Sequence, residues 1–275
     1  MVVQVLGAPK LVSGIPRFGD VENYSDSFGF QWNRFAETQL HPSSAEMLWR
    51  LTAWKPQELS GLDILEVGSG AGRFSRVILE ETGANLYSVD YSTAVDANWR
   101  NNGHIAPERF HLFQASIYEM PFPDSSFDKV LCRGVLQHTP DFEASVQALV
   151  AKAKPGAEIV VDFYQIRGWW TKVHAKYLLR PLARHVRHDR LLKLIESNVD
   201  WLVALHDRLT KSGLHAFTRF LPLVDVAGVL PNDLSPEHRR EWAILDTFDM
   251  FSPQYDNPQR TEAVVAMFER AGARP

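Results

Sequence analysis

The sequence predicts an α/β fold, a doubly wound and mostly parallel sheet with a helical insertion. Three observations predict it. Between residues 61 and 164 short β-rich runs alternate with helix-compatible stretches, the rhythm of βαβ units with helices on both faces of a sheet. The first β run ends in three glycines within five residues, "GSGAG". The rhythm then stops, and 165–245 holds long amphipathic stretches with no alternating run.

In chain order, residues 1–20 are rich in Gly and Pro and read as irregular. Residues 21–55 carry aromatics in a helical pattern, "SFGFQWNRFAETQLHPSSAEMLWRLTAW", so 1–55 reads as an N-terminal cover. The core at 56–164 has strands expected at 62–67, 85–90, 109–114, 127–132 and 157–163. Helices are expected between them at 72–82, 92–100 and 141–153. The insertion at 165–245 is expected to be mainly helical and to stand as a lid over the carboxyl edge of the sheet. Residues 246–275 read as a turn, "DTFDMFSPQYDNP", and a last core helix, "RTEAVVAMFERAG".

Bulk composition narrows the function. Of 275 residues 45% are apolar, enough for a sizeable core. The net charge of −4, from 29 basic and 33 acidic residues, gives no nucleic-acid footprint. The single cysteine, Cys132, allows neither a disulfide framework nor a cysteine cluster for zinc, and no metal ligand set stands out. There is no signal-peptide pattern at the N-terminus and no apolar run of bilayer length, so a cytoplasmic setting is expected.

The chemistry centres on "LDILEVGSGAGRFS". Bare glycines after a strand let a ligand approach the main chain, and the next helix offers its N–H groups. Dinucleotide binders want G-x-G-x-x-G; here Gly68, Gly70 and Gly72 give G-x-G-x-G, and position 73 is arginine. Glu66 discriminates better. A carboxylate two residues before the loop repels a pyrophosphate and suits a ligand carrying ammonium or sulfonium. The second strand ends in "LYSVDYS". Asp90 there has two readings, an acceptor for ribose hydroxyls or a helix N-cap.

At this point the chain resembles the S-adenosylmethionine-dependent methyltransferases with a Rossmann-like fold. The likeness rests on "DILEVGSGAGRFS", "LYSVDYS", "FQASIYEMPFPDSSFDKVLCRGVLQHTPDF" and "KAKPGAEIVVDFY", in that order across 58–164. Both flanks, "GIPRFGDVENYSDSFGFQWNRFAETQL" and "LDTFDMFSPQYDNPQRTEAVVAMFERAG", are similar to segments of a bacterial subgroup acting on small molecules. A zinc ribbon often precedes "GIPRF" in that subgroup; this chain lacks its cysteines, so no zinc ribbon is expected.

The resemblance implies the cofactor S-adenosyl-L-methionine and a small-molecule acceptor, with no nucleic-acid partner. It implies that Gly68, Gly70 and Gly72 border the cofactor's methionine part and that Glu66 holds its amino group. It gives Asp90 the ribose, lets Tyr91 flank the adenine, puts Ser116 and Ile117 at the adenine edge, and brings Arg133 to the cofactor's carboxylate. Many members carry Asp where this chain has Ser116. The resemblance also implies two further strands after the last helix, for which the sequence shows no candidate. The run at 157–163 is therefore expected to be a sheet edge, covered by the insertion, the N-terminal segment or a second chain.

His138, in "LCRGVLQHTPD", leaves the fourth core strand at the ligand edge. It reads as a general base or as a packed loop histidine. Acceptor-side candidates are Asp246, Asp249, Ser252 and Tyr255 in the C-terminal turn, Asp162 after the fifth strand, and Trp32 and Arg34 in "QWNRF"; each also has a plain structural reading. From Arg167 to Lys193 the insertion has eight basic residues and one acid, with Trp169, Trp170 and Tyr177. That run reads first as a solvated face, then as a lid for an anionic acceptor or a surface for an anionic membrane. Two rivals to a methyltransferase stay open: an NAD-dependent oxidoreductase, and a non-catalytic partner subunit that binds the cofactor.

Overall fold

The five runs marked as core strands form, beside a hairpin the sequence did not announce. A computed structural model describes residues 3–19 and 23–274. Residues 20–22, within the N-terminal flank of the resemblance, lie outside the described residues. The hairpin is β1 (Lys10–Val12) and β2 (Ile15–Arg17). The core strands are β3 (Asp63–Val67), β4 (Asn85–Asp90), β5 (Phe110–Gln114), β6 (Phe127–Cys132) and β7 (Ala153–Val161). Among the described residues the sheet runs β1-β2-β5-β4-β3-β6-β7. All pairings are parallel except β1 with β2.

The strands sort their side chains by alternation. Leu65, Val67, Tyr87, Val89 and Phe113 face one layer, with Phe142, Val146 and Leu149 of α5 (Phe142–Lys152) and Val264 of α10 (Thr261–Arg270). Ile64, Leu86, Phe110 and Leu112 face the other, with Leu48 of α2 (Ser43–Thr52), Val77 and Ile78 of α3 (Arg73–Glu81) and Val95 of α4 (Val95–Asn102). The N-terminal helix α1 (Asp26–Arg34) precedes α2. Every residue of β3 is buried, as a central strand covered on both faces requires.

The reading of 1–20 as irregular gives way to the hairpin. Ser13 and Gly14 sit at φ +53° and +80°, the two positive values that a tight two-residue hairpin turn needs. Lys10 pairs with Arg17 and Val12 with Ile15. The hairpin joins the sheet through Arg17 beside Gln114. The Arg17 guanidinium donates to Gln114 Oε1 at 2.7 Å and to Asp96 Oδ1 at 2.6 Å. Three-residue strands with Pro16 in one of them carry too little alternation to read, and their anchor lies far along the chain.

β7 has β6 on one side and no strand on the other among the described residues, the edge expected at 157–163. Its register shifts between Phe127 and Lys129, where the chain detours through Pro155 and Gly156 at φ +82°. Just past the strand, Gln259 N–H donates to the Tyr164 carbonyl at 2.9 Å and Ile166 N–H donates to Gln259 at 2.8 Å. The segment before α10 thus pairs with the chain beyond the edge, a partner the sequence reading did not name.

The chain divides into two compact units, Met1–Ile166 with Tyr255–Pro275, and Arg167–Gln254. The second holds α6 (Ala175–Ala183), α7 (His188–Lys211), α8 (Val226–Val229) and α9 (Pro236–Phe251). Leu191, Leu192, Ile195, Val199 and Leu202 form the buried stripe of α7 at helical spacing. Arg239 and Arg240 of α9 pair with Asp207 and Asp200 of α7, both at 2.7 Å. Helix α9 begins at a Ser235 cap followed by Pro236 and runs unbroken to Phe251. The boundary placed between 245 and 246 falls inside it, so Asp246 and Asp249 go with the helical unit.

Candidate active site

Between β3 and α3 the chain passes through Gly68, Gly70 and Gly72 at φ +79°, +53° and +86°. At two of them the protein's own packing demands glycine. A Cβ on Gly68 would collide with Val135, and one on Gly72 with the side chains of Asn98 and Asn102. Asn102 Nδ2 donates to the Gly72 carbonyl at 2.9 Å and to Asn98 Oδ1 at 2.8 Å. Asn101 Nδ2 donates to Ala71 O at 2.8 Å. Three asparagines of α4 thus brace the loop. Gly70 lies under Trp32, whose Nε1 would stand 3.2 Å from a Cβ there.

Two carboxylates are buried beneath this loop. Glu66, on β3, accepts from Ser75 Oγ at 2.5 Å and Ser88 Oγ at 2.7 Å. Burial pushes its pKa up to about 7; the two hydroxyls pull it down by less, and the neighbouring Asp90 adds to the rise. Asp90, at the end of β4, accepts from Gly70 N–H at 2.8 Å and from Ser92 N–H and Oγ at 2.8 and 2.6 Å. Burial raises its pKa too. Asp90 does not cap α4, whose N-cap is Ala94; it fastens the glycine loop to the end of β4. Among the described residues no lysine or arginine pairs with either carboxylate.

An aromatic group stands at the same edge. Tyr24 meets Tyr91 at 5.3 Å and Tyr255 at 5.6 Å between ring centres. Burial pushes the Tyr24 phenol well above its ordinary pKa, and Tyr118, Tyr91, Asp90 and Tyr255 add to it, so the hydroxyl stays protonated. His138 is buried in the short turn after β6, near Phe28 at 5.1 Å and edge-on to Tyr164 at 5.5 Å. Its Nδ1 lies 3.0 Å from the Tyr255 carbonyl. A carbonyl only accepts, so Nδ1 carries a proton. Asn257 holds this turn from the same segment, through Gln137 O at 2.7 Å and Thr139 O at 2.8 Å.

The other sequence candidates are placed as follows. Ser116 caps a short turn by accepting from Tyr118 N–H, and Ile117 is buried behind it. Arg133 pairs with Asp162 at 3.3 Å and lies over the Phe74 ring. Arg34 is exposed at the end of α1. Ser252 is buried just past α9. Tyr255 and His138 come together, whereas Asp246 and Asp249 lie on α9 of the helical unit. Sequence reasoning missed Tyr24, Ser75, Ser88 and the α4 asparagines. One signal was present: three asparagines in the eight residues of α4, a poor composition for a helix unless the side chains have other work.

Parallel sheet, glycine loop and paired carboxylates define a Rossmann-like nucleotide-binding domain. Residues 65–161 match the family model described as "Methyltransferase domain". It is 28% identical over 134 residues to phosphoethanolamine N-methyltransferase 2 of Caenorhabditis elegans, covering 45% of this chain and 28% of that protein. It is 27% identical over 110 residues to tRNA U34 carboxymethyltransferase of Nautilia profundicola, covering 40% and 37%. It is 28% identical over 165 residues to demethylmenaquinone methyltransferase of Tropheryma whipplei, covering 56% and 66%. The chain thus spans less than two thirds of the length of each.

The residues fit the cofactor of this domain class. Glu66 and Asp90 are buried carboxyl groups without a cationic side chain beside them, and a ligand bringing ammonium and sulfonium charge would favour their ionised form. No described helix is long and apolar enough to cross a membrane.

Proposed function

We propose that the protein transfers the methyl group of S-adenosylmethionine to a small-molecule acceptor by in-line displacement. The observation that carries this reading is the pair of buried, cation-free carboxylates, Glu66 and Asp90, under the glycine loop. When bound, the cofactor supplies an electrophilic methyl on sulfur. Glu66 compensates the positive charge, Asp90 takes the ribose hydroxyls, and Tyr91 flanks the base, beside Ser116 and Ile117. Arg133, now shared with Asp162, faces the cofactor's carboxylate. The net charge of −4 supports a small acceptor over a polyanion. The single buried Cys132 supports a cytoplasmic setting.

Titration calorimetry with S-adenosylhomocysteine and, separately, NAD tests the reading. Binding of the first and not the second is expected; the reverse would return the chain to the oxidoreductases.

In this reading His138 receives the acceptor's proton, its ring oriented through Nδ1 by the Tyr255 carbonyl. His138→Ala then lowers turnover by ~100-fold or more with unchanged cofactor affinity. A loss below about tenfold assigns the ring to packing between Phe28 and Tyr164 instead.

A further inference from the structure

A second cluster of chemistry-bearing side chains lies wholly within Arg167–Gln254. His206 is on the inner face of α7 and is completely buried. His215 opens the 3-10 turn His215–Phe220. Asp225 caps α8 by accepting from Gly228 N–H. The Nε2 atoms of His206 and His215 lie 3.1 and 3.2 Å from the same Asp225 oxygen, Oδ1. One donor atom from each of the three residues falls within 4.8 Å of the other two.

We propose that His206, His215 and Asp225 bind a divalent transition-metal ion of the zinc class. The proposal is independent of the methyl-transfer reading. Two imidazoles and a carboxylate are a donor set that zinc takes and that magnesium or calcium does not favour. Ligand atoms about 2.0–2.2 Å from a tetrahedral ion stand roughly 3.3 Å apart. The two short separations, 3.1 and 3.2 Å, match that edge.

The tautomer of His206 supplies a second, independent observation. If the cluster were only hydrogen-bonded, both imidazoles would donate to one carboxylate oxygen. In a neutral ring His206 Nδ1 would then be a buried acceptor, and it has no hydrogen-bond partner. With a metal on Nε2 the ring proton moves to Nδ1, which faces Asp207 Oδ1 at 3.8 Å. Asp207 is itself held by Arg239 at 2.7 and 3.0 Å. A metal-bound histidine with its other N–H directed at a fixed carboxylate is the usual outer arrangement of a zinc site.

A fourth position is available. Beside the cluster is a cavity of about 210 Å³ lined by His174, His215, Thr218, Arg219 and Asp225 among others. His174 is not the fourth ligand through Nδ1, which accepts from Lys176 N–H at the start of α6. The cavity leaves room for water or for an anionic ligand drawn by Arg219. The three ligands come from α7, the 3-10 turn and the α8 cap, so the ion ties these segments together.

The test is Co²⁺ titration of the whole, chelator-treated protein, followed by Zn²⁺ competition and thermal melting. One Co²⁺ per chain is expected, with the visible absorption of a tetrahedral site, displaced by Zn²⁺, and with a rise in melting temperature on adding Zn²⁺. His215→Ala and Asp225→Asn, checked for folding by circular dichroism, each weaken binding about 100-fold or more and abolish that rise. His215 is half exposed, so its variant spares the buried stripe of α7. No binding at micromolar Zn²⁺ overturns the proposal, and so does binding that both folded variants retain, the mark of adventitious surface sites.

Discussion

Asp90→Ala lowers the affinity for S-adenosylhomocysteine by about 1.5–3 kcal/mol, roughly 10- to 150-fold, the usual worth of hydrogen bonds to a charged group. The carboxylate has about four acceptor positions. Three are occupied, by Gly70 N–H, Ser92 N–H and Ser92 Oγ. The remaining capacity is what the proposed ribose contact would use, and the loop bond to Gly70 places the main chain beside it. Both contributions vanish in the alanine variant. Ser92→Ala removes one hydroxyl donor and leaves the carboxylate in place, so its affinity changes little. Calorimetry on the two variants, with a melting curve for each, separates binding from loop fastening. If Asp90→Ala melts earlier yet binds as tightly as the parent, Asp90 is a fastener and the ribose assignment fails.

The parts of the fold legible in the sequence are those whose partners are close along the chain or whose pattern is dense. β4 and β6 match their expected bounds because six-residue β runs sit between turn residues. β7 was marked from 157, while its pairing begins at Ala153 before a detour, which a hydrophobic pattern does not report. The hairpin escaped because its anchor, the Arg17–Gln114 bond, spans 97 residues.

In the site, the glycine run was legible, but a second reason for it was not. Besides the expected ligand, Val135 and the asparagines of α4 demand bare positions at Gly68 and Gly72. Ser75 and Ser88 are ordinary residues in sequence, and only the fold turns both hydroxyls onto Glu66. The same holds for the His–His–Asp cluster, whose members lie nine and ten residues apart with no metal-binding spacing to announce them.

Glu66 produces a pH dependence whose sign is fixed by burial. Its ordinary carboxyl value is 4.5 and its folded value is about 7. The folded protein therefore holds a proton on Glu66 that the unfolded chain has released between those two pH values. Stability from this group is complete below about pH 4.5 and is lost as pH rises through about 7. At about 1.4 kcal/mol per pH unit the loss is about 3 kcal/mol. Glu66→Gln keeps an oxygen for Ser75 and Ser88 and has no charge to bury. The stability difference between variant and parent, from urea unfolding without ligand, is expected to move by about 3 kcal/mol in the variant's favour between pH 4.5 and 7.5. An unchanged difference would mean that Glu66 titrates normally in the folded state. Binding runs the other way. A cationic ligand prefers the charged carboxylate, so the parent's affinity for S-adenosylmethionine rises with pH through about 7 with release of a proton. The variant's affinity is lower and flat across the same range. The group whose burial costs the ligand-free protein stability is then the one that, in the proposed reading, compensates the cofactor's positive charge.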